Sequence, residues 1–230
     1  MAASATAVES VAAAALRTAL LRVRQVAERA GGRPDKIRVV AVSKTKPVAL
    51  IRQVYDAGHR CFGENYVQEI VDKAPQLPDD VAWHFLGHLQ SNKVKTLLTG
   101  VPNLAMVEGV DNMKLANILD RVVSGLGRNT LKVLVQVNTS GEASKSGISP
   151  EGCVGLAEHV KLRCPNLELS GLMTIGMPDY NSTPRTSGLE VCKALGMAED
   201  QFELSMGMSG DFEQAVRVLY IYFRVNRWLY

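Results

Sequence analysis

The sequence predicts a (β/α)8 barrel of the TIM type. Three observations carry this reading. Short apolar, β-prone segments alternate with helix-periodic ones, which implies repeated βα units and a parallel sheet. The chain has 230 residues, the usual size of a closed eight-unit barrel. The turn after the first apolar segment, Ser43-Lys44-Thr45-Lys46-Pro47, lacks the glycines that an open doubly wound sheet usually carries there.

The elements follow in order. Leu16, Leu20, Val23 and Val26 or Ala27 recur at helical spacing, and Gly31-Gly32 ends the run. Residues 1–32 are rich in Ala and Arg, like an organelle presequence, but Glu9 and Glu28 interrupt that pattern. We read a structural amphipathic helix. Residues 37–42 form a buried-type strand, followed by a helix over 47–57 that Gly58 ends. Strand and helix then alternate through 61–63 and 66–74, 83–87 and 92–98, 104–107 and 112–123, and 132–138 and 150–163. A strand over 169–175, a loop, a short helix near 189–195, a strand over 202–206 and a helix over 210–216 complete seven units. Residues 219–230 are apolar and β-prone and supply a candidate eighth strand.

Composition narrows the function classes. Net charge is +3 with both signs interspersed, which is no nucleic-acid footprint. The four cysteines, Cys61, Cys153, Cys164 and Cys192, fall in no metal-binding spacing and read as reduced thiols of an intracellular, cytoplasmic protein. No apolar stretch is long enough to cross a bilayer.

Functional groups of a barrel gather at the carboxyl ends of its strands. Lys44 follows strand one, Glu64 and Asn65 strand two, and His88 and Gln90 strand three. Asn138, Thr139 and Ser140 follow strand five, Thr174 and Gly176 lie at strand six, and Met208 and Ser209 follow strand seven. Lys44 is the most informative of these. Burial disfavours an ammonium, and a lysine that is neutral part of the time is a nucleophile for aldehydes. The ordinary alternative is a solvated lysine beside Lys46. His84 alternates with core residues of its strand and reads as a packed, hydrogen-bonded histidine. Asn138-Thr139-Ser140 can line the rim or simply turn the chain.

The segments VVAVSKTKP, FGENYVQE, WHFLGHLQSNK, VQVNTSGEASKSG, GLMTIG and ELSMGMSGDFEQAV resemble the pyridoxal phosphate homeostasis protein family over residues 37–216. The resemblance implies the barrel fold of the alanine racemase N-terminal domain. It also implies pyridoxal 5′-phosphate held on Lys44 as an internal aldimine. By the same resemblance Asn65 lies beside the cofactor, and Met208 and Ser209 contact its phosphate. Ser209 and Gly210 open a predicted helix, whose free N–H groups suit an anion, although serine there is most often a plain cap.

Two stretches depart from the family pattern. Residues 181–188 are short and polar, which predicts a truncated sixth outer helix and a thinly covered wall. After residue 218 the family has a V-R-I-G-S-type strand and a final helix. Laid beside it without a gap, Phe223-Arg224-Val225 falls on V-R-I, and Arg224 matches the arginine facing the pyridine nitrogen. Asn226-Arg227 then replaces the Gly-Ser pair that contacts phosphate. The expectation is a barrel with strand eight altered and the last helix missing, an exposed strand edge and weakened cofactor binding.

The family is regarded as a carrier or regulator of the cofactor. An arginine at the pyridine nitrogen makes the ring a poor electron sink, unlike the Asp of many such enzymes. The resemblance thus implies a binding protein without an established reaction, monomer or weak homodimer, with apo-enzymes as candidate partners. The alternatives are an amino-acid racemase or lyase using Lys44 as anchor and base, and a barrel that binds a phosphorylated metabolite without a Schiff base.

Overall fold

The structure is a computed structural model. It describes residues 10–32, 34–140, 142, 145–175, 183–208, 210–218 and 223–228, with backbone alone for 183–185, 217–218 and 223–228. Eight strands form a closed barrel in sequence order: β1 (Ile37–Val42), β2 (Cys61–Glu64), β3 (Ala82–Phe85), β4 (Leu104–Val110), β5 (Leu131–Gln136), β6 (Leu167–Met173), β7 (Glu203–Ser205) and β8 (Phe223–Trp228). All neighbours pair in parallel. The helices are α1 (Val11–Arg29), α2 (Val48–Asp56), α3 (Val67–Lys73), α4 (Val94–Gly100), α5 (Met113–Gly125), α6 (Cys153–Arg163), α7 (Thr183–Leu195) and α8 (Phe212–Val218).

α1 precedes the first strand and is capped by Ser10, whose Oγ accepts the Ala13 N–H at 3.2 Å. Val23, Val26 and Ala27 pack with Phe212 and Ala215 of α8 and with Val39 of β1. Leu20, placed on the same face by periodicity, sits at its margin and is partly exposed, while Ala12 and Ala19 are buried instead. The main core lies between sheet and helices, around Phe62, Trp83, Phe85, Leu97 and Leu119. Alternation along β1 sends Val39 and Ala41 to that layer and leaves Val40 for the barrel interior, where it abuts Gly63 and Leu86. Met106, Leu134 and Met173 form an inner apolar cluster.

The two departures resolve differently from expectation. α7 is a full helix of 13 residues. Pro184 falls in its first turn, where a missing N–H costs nothing. Buried Ser187 and Gly188 let its backbone approach the wall closely: a Cβ at Gly188 would meet Leu204 Cδ2 at 3.4 Å and Phe202 Cε1 at 3.5 Å. Polar composition concealed a helix whose small residues are contact residues. The tail also forms a strand. β8 pairs with β1 through six residues, from Ile37↔Phe223 to Val42↔Trp228, and with β7 at Leu204↔Phe223 and Ser205↔Arg224. Both edges of β8 are thus engaged, and the expected exposed strand edge does not arise. Leu219, Ile221 and Leu229 lie outside the described residues.

Candidate functional site

Lys44 stands just beyond the carboxyl end of β1 and is half-buried. The ladder continues one residue past the strand, with Ser43 N–H donating to Gly63 O at 2.8 Å. The Ser43 side chain is turned to Glu64 of β2, and Lys44 follows it at the mouth of the barrel. Ser43 to Lys46 form a β-turn closed by Lys46 N–H to Ser43 O at 3.0 Å. Its third residue, Thr45, has φ 63°, a conformation that β-branched side chains rarely adopt. The strain is on the order of 1–3 kcal/mol.

A buried ion cluster lies against this turn. Lys73 Nζ donates to Glu64 Oε1 at 2.8 Å, Glu69 Oε2 at 2.6 Å and Ser43 O at 2.9 Å. Ser43 Oγ donates to Glu64 Oε1 at 2.6 Å, and Thr45 N–H to Glu69 Oε2 at 2.7 Å. Burial pushes the Glu64 carboxyl above the ordinary range, against the opposing pull of Lys73 and Ser43. Burial also opposes ionisation of Glu69, but the bonds from Lys73 and the Thr45 N–H prevail and hold it below the ordinary range. Glu64, expected among the rim groups, is instead completely buried in this cluster.

Asn65 follows β2 and is half-buried. Its carbonyl crowds the next loop: a Cβ on Gly87 would lie 2.0 Å from Asn65 O. A Cβ on Gly109 would in turn lie 2.8 Å from Gly87 O. Glycine at 87 and 109 thus lets three successive strand ends pack side by side at the rim.

Elsewhere on the rim, His88 Nδ1 lies 3.6 Å from Asp111 Oδ2 and 3.5 Å from Ser146 Oγ. Carboxylate and hydroxyl address the same ring nitrogen, which is not the relay a serine nucleophile needs. Asn138 organises its own loop, accepting from Ser140 N–H at 3.2 Å and donating to Lys145 O at 3.1 Å, so the turn reading holds there. Thr139 and Thr174 hydroxyls lie 3.0 Å apart. Met208 is partly exposed after β7, and its N–H donates to the Asp211 carboxylate, which occupies the position an anion would take on that amide. Ser209 and Gly176 lie outside the described residues.

Arg224 pairs with Arg38 of β1 and with Ser205, the last residue of β7, while Arg227 pairs with Ala41 of β1.

His84 is buried as expected, its Nδ1 lying 3.3 Å from Glu108 Oε1 inside the barrel, and Glu108 Oε2 accepts from Ser205 Oγ at 2.7 Å. A cleft of about 780 Å³ opens at the opposite mouth between Arg38, Arg128 and Lys132. Its cations are engaged: Arg38 with Glu203 at 2.7 Å, Lys132 with Glu168 at 3.6 Å, and Arg128 with the carbonyls of Leu98, Val101, Pro102 and Leu104. Barrels work at the carboxyl rim, and the primary amine is there. Among the described residues, no group of three or more His, Cys, Asp or Glu could hold a metal, and no helix is long and apolar enough to cross a membrane.

Sequence reasoning missed Lys73 and Glu69. Their spacing of four within a helix reads as an ordinary surface pair. The available signal was a second lysine within reach of a glutamate at a strand end.

Comparison with known proteins agrees with this architecture. The family profile of the alanine racemase N-terminal domain matches residues 13–221. The human pyridoxal phosphate homeostasis protein is 45% identical over 228 residues, covering 89% of this chain and 80% of the relative. The Pseudomonas aeruginosa protein of that name is 42% identical over 200 residues, covering 85% and 84%. PipY of Synechococcus elongatus, solved with PLP bound, superposes with TM-score 0.70 at 34% identity, covering 88% of this chain and 98% of PipY. Alanine racemase of Corynebacterium glutamicum, at 11% identity and TM-score 0.62 over 90% of this chain and 58% of its own, shares the fold alone. The chain belongs to the pyridoxal phosphate homeostasis protein family, built on the barrel of the alanine racemase N-terminal domain.

Proposed function

We propose that this protein binds pyridoxal 5′-phosphate covalently through Lys44 and serves in the homeostasis or carriage of that cofactor, with no reaction of its own. The observation that carries the reading is a half-buried lysine just past the carboxyl end of β1, on the rim that Asn65 joins from the end of β2. Capture joins the Lys44 nitrogen to the aldehyde carbon and releases one water. The relatives' names and the PLP-bound PipY support the choice of ligand. Met208 and Ser209 remain the proposed phosphate contacts. A phosphate would compete there with Asp211 for the Met208 N–H. Arg224, which pairs with Ser205 at the end of β7 and with Arg38 of β1, remains the proposed arginine at the pyridine nitrogen.

Transfer to apo-enzymes, as monomer or weak homodimer in the cytoplasm, is the proposed context. A racemase or lyase is the competing reading, since fold relatives are enzymes. Absorbance titration with pyridoxal phosphate tests the proposal. We expect a band characteristic of a lysine-bound aldehyde, lost in Lys44→Ala. A Lys44→Ala protein that keeps its affinity points to a plain phosphate site. Incorporation of α-deuterium into amino acids in deuterium oxide overturns the non-catalytic reading.

A further inference from the structure

We infer that Lys73, acting with Glu64 and Glu69, is a positioning residue that fixes the direction in which Lys44 is presented. This rests on the reading of Lys44 as the covalent anchor. The two peptide groups that flank the Lys44 Cα are both held by one ion cluster. On the amino side, Ser43 O accepts from Lys73 Nζ at 2.9 Å. On the carboxyl side, Thr45 N–H donates to Glu69 Oε2 at 2.7 Å, and Glu69 is itself held by Lys73 at 2.6 Å. Glu64 anchors the assembly to β2 and takes the Ser43 hydroxyl at 2.6 Å.

The geometry identifies what the cluster works against. Thr45 at φ 63° sits in the third position of a turn that glycine or asparagine ordinarily fills. Left alone, a threonine there relaxes to negative φ and turns the preceding residue with it. Fastening both flanking peptides prevents that rotation. Lys73, 8% exposed, is spent wholly inside the protein, a costly place for an ammonium unless its partners need it. It belongs to α3 but acts on the loop after β1, so it couples two neighbouring βα units at the mouth.

The test compares Lys73→Met with Lys73→Met/Thr45→Gly in the full chain. Pyridoxal phosphate affinity is read by absorbance, and capture by borohydride trapping. Lys73→Met is expected to bind about tenfold more weakly. Adding Thr45→Gly, which adopts the turn without a clamp, is expected to restore affinity without restoring the melting temperature. A purely structural Lys73 gives the opposite pattern, with affinity unrescued by glycine, and overturns the inference. Unchanged affinity in Lys73→Met also overturns it. If Lys73→Met does not fold, Glu69→Ala with and without Thr45→Gly carries the same comparison. A Lys44→Ala protein that keeps the band overturns the anchor reading and this inference with it. A band lost in Lys44→Ala but unaltered in Lys73→Met overturns the positioning role alone.

Discussion

Gly87→Ala isolates the packing of the β3 end against Asn65 at the rim. The residue is not in the left-handed region, so alanine meets no backbone penalty there. The cost is steric. The added Cβ would lie 2.0 Å from Asn65 O, 2.8 Å from Asn65 C and 3.0 Å from Asn65 Cα. Restoring ordinary contact requires the carbonyl to retreat by about 1.4 Å, and overpacking of this kind costs about 1–3 kcal/mol. Asn65 follows Glu64, which the ion cluster holds, so the displacement falls on Asn65 and the rim. Loss of one hydrogen bond's worth of contact predicts about tenfold weaker pyridoxal phosphate binding. The assay is an absorbance titration beside thermal unfolding. Gly125→Ala is the control: no atom lies within 4 Å of its Cβ position, and alanine late in α5 is expected to stabilise by about 0.5–1 kcal/mol. Parent-like affinity and stability in Gly87→Ala would refute the packing argument and the place given to Asn65.

Further expectations concern charge, thiols and register. Glu69, held below the ordinary range, contributes stability above the ordinary glutamate pKa that is lost as pH falls through its folded value. Glu69→Gln is expected to lose about 1–2 kcal/mol at neutral pH and to flatten the acid limb of a melting-temperature profile. Glu64, raised by burial, favours the fold below the ordinary pKa, and that advantage is lost as pH rises through its folded value. Glu64→Gln removes the titrating group and keeps an acceptor for Lys73 and Ser43, so the loss of stability with rising pH is expected to shrink in its melting-temperature profile; an unchanged profile contradicts the shift. Burial pushes the Cys153 thiol up to about 12 and Cys164 to about 11, so both are expected to resist iodoacetamide in the native protein while half-buried Cys61 reacts, as peptide mapping will read. From the pairing of Arg224 with Ser205 at the end of β7, Arg224→Ala is expected to weaken pyridoxal phosphate binding more than Arg227→Ala, and the reverse order contradicts that assignment.

Much of this was legible in the sequence, for identifiable reasons. β1 falls on 37–42 as expected, because a parallel strand buried on both faces is an uninterrupted apolar run. The same logic read His84 correctly, as a polar residue in phase with an inward-facing strand position. Lys44 was visible because it ends such a run. What stayed hidden depends on partners distant in the chain. Lys73 in an amphipathic helix looks solvated until α3 is laid against the turn after β1. The first half of α7 looked like a loop because Gly188 serves as a contact residue only once Phe202 and Leu204 are laid against it.

The central claim is that Lys44 is the covalent anchor. Borohydride reduction of the protein saturated with pyridoxal phosphate, followed by peptide mass spectrometry, tests it most directly. The account predicts one stoichiometric pyridoxyl label on Lys44. A principal label on Lys46 or any other lysine, or no label above that of the denatured chain, would contradict it.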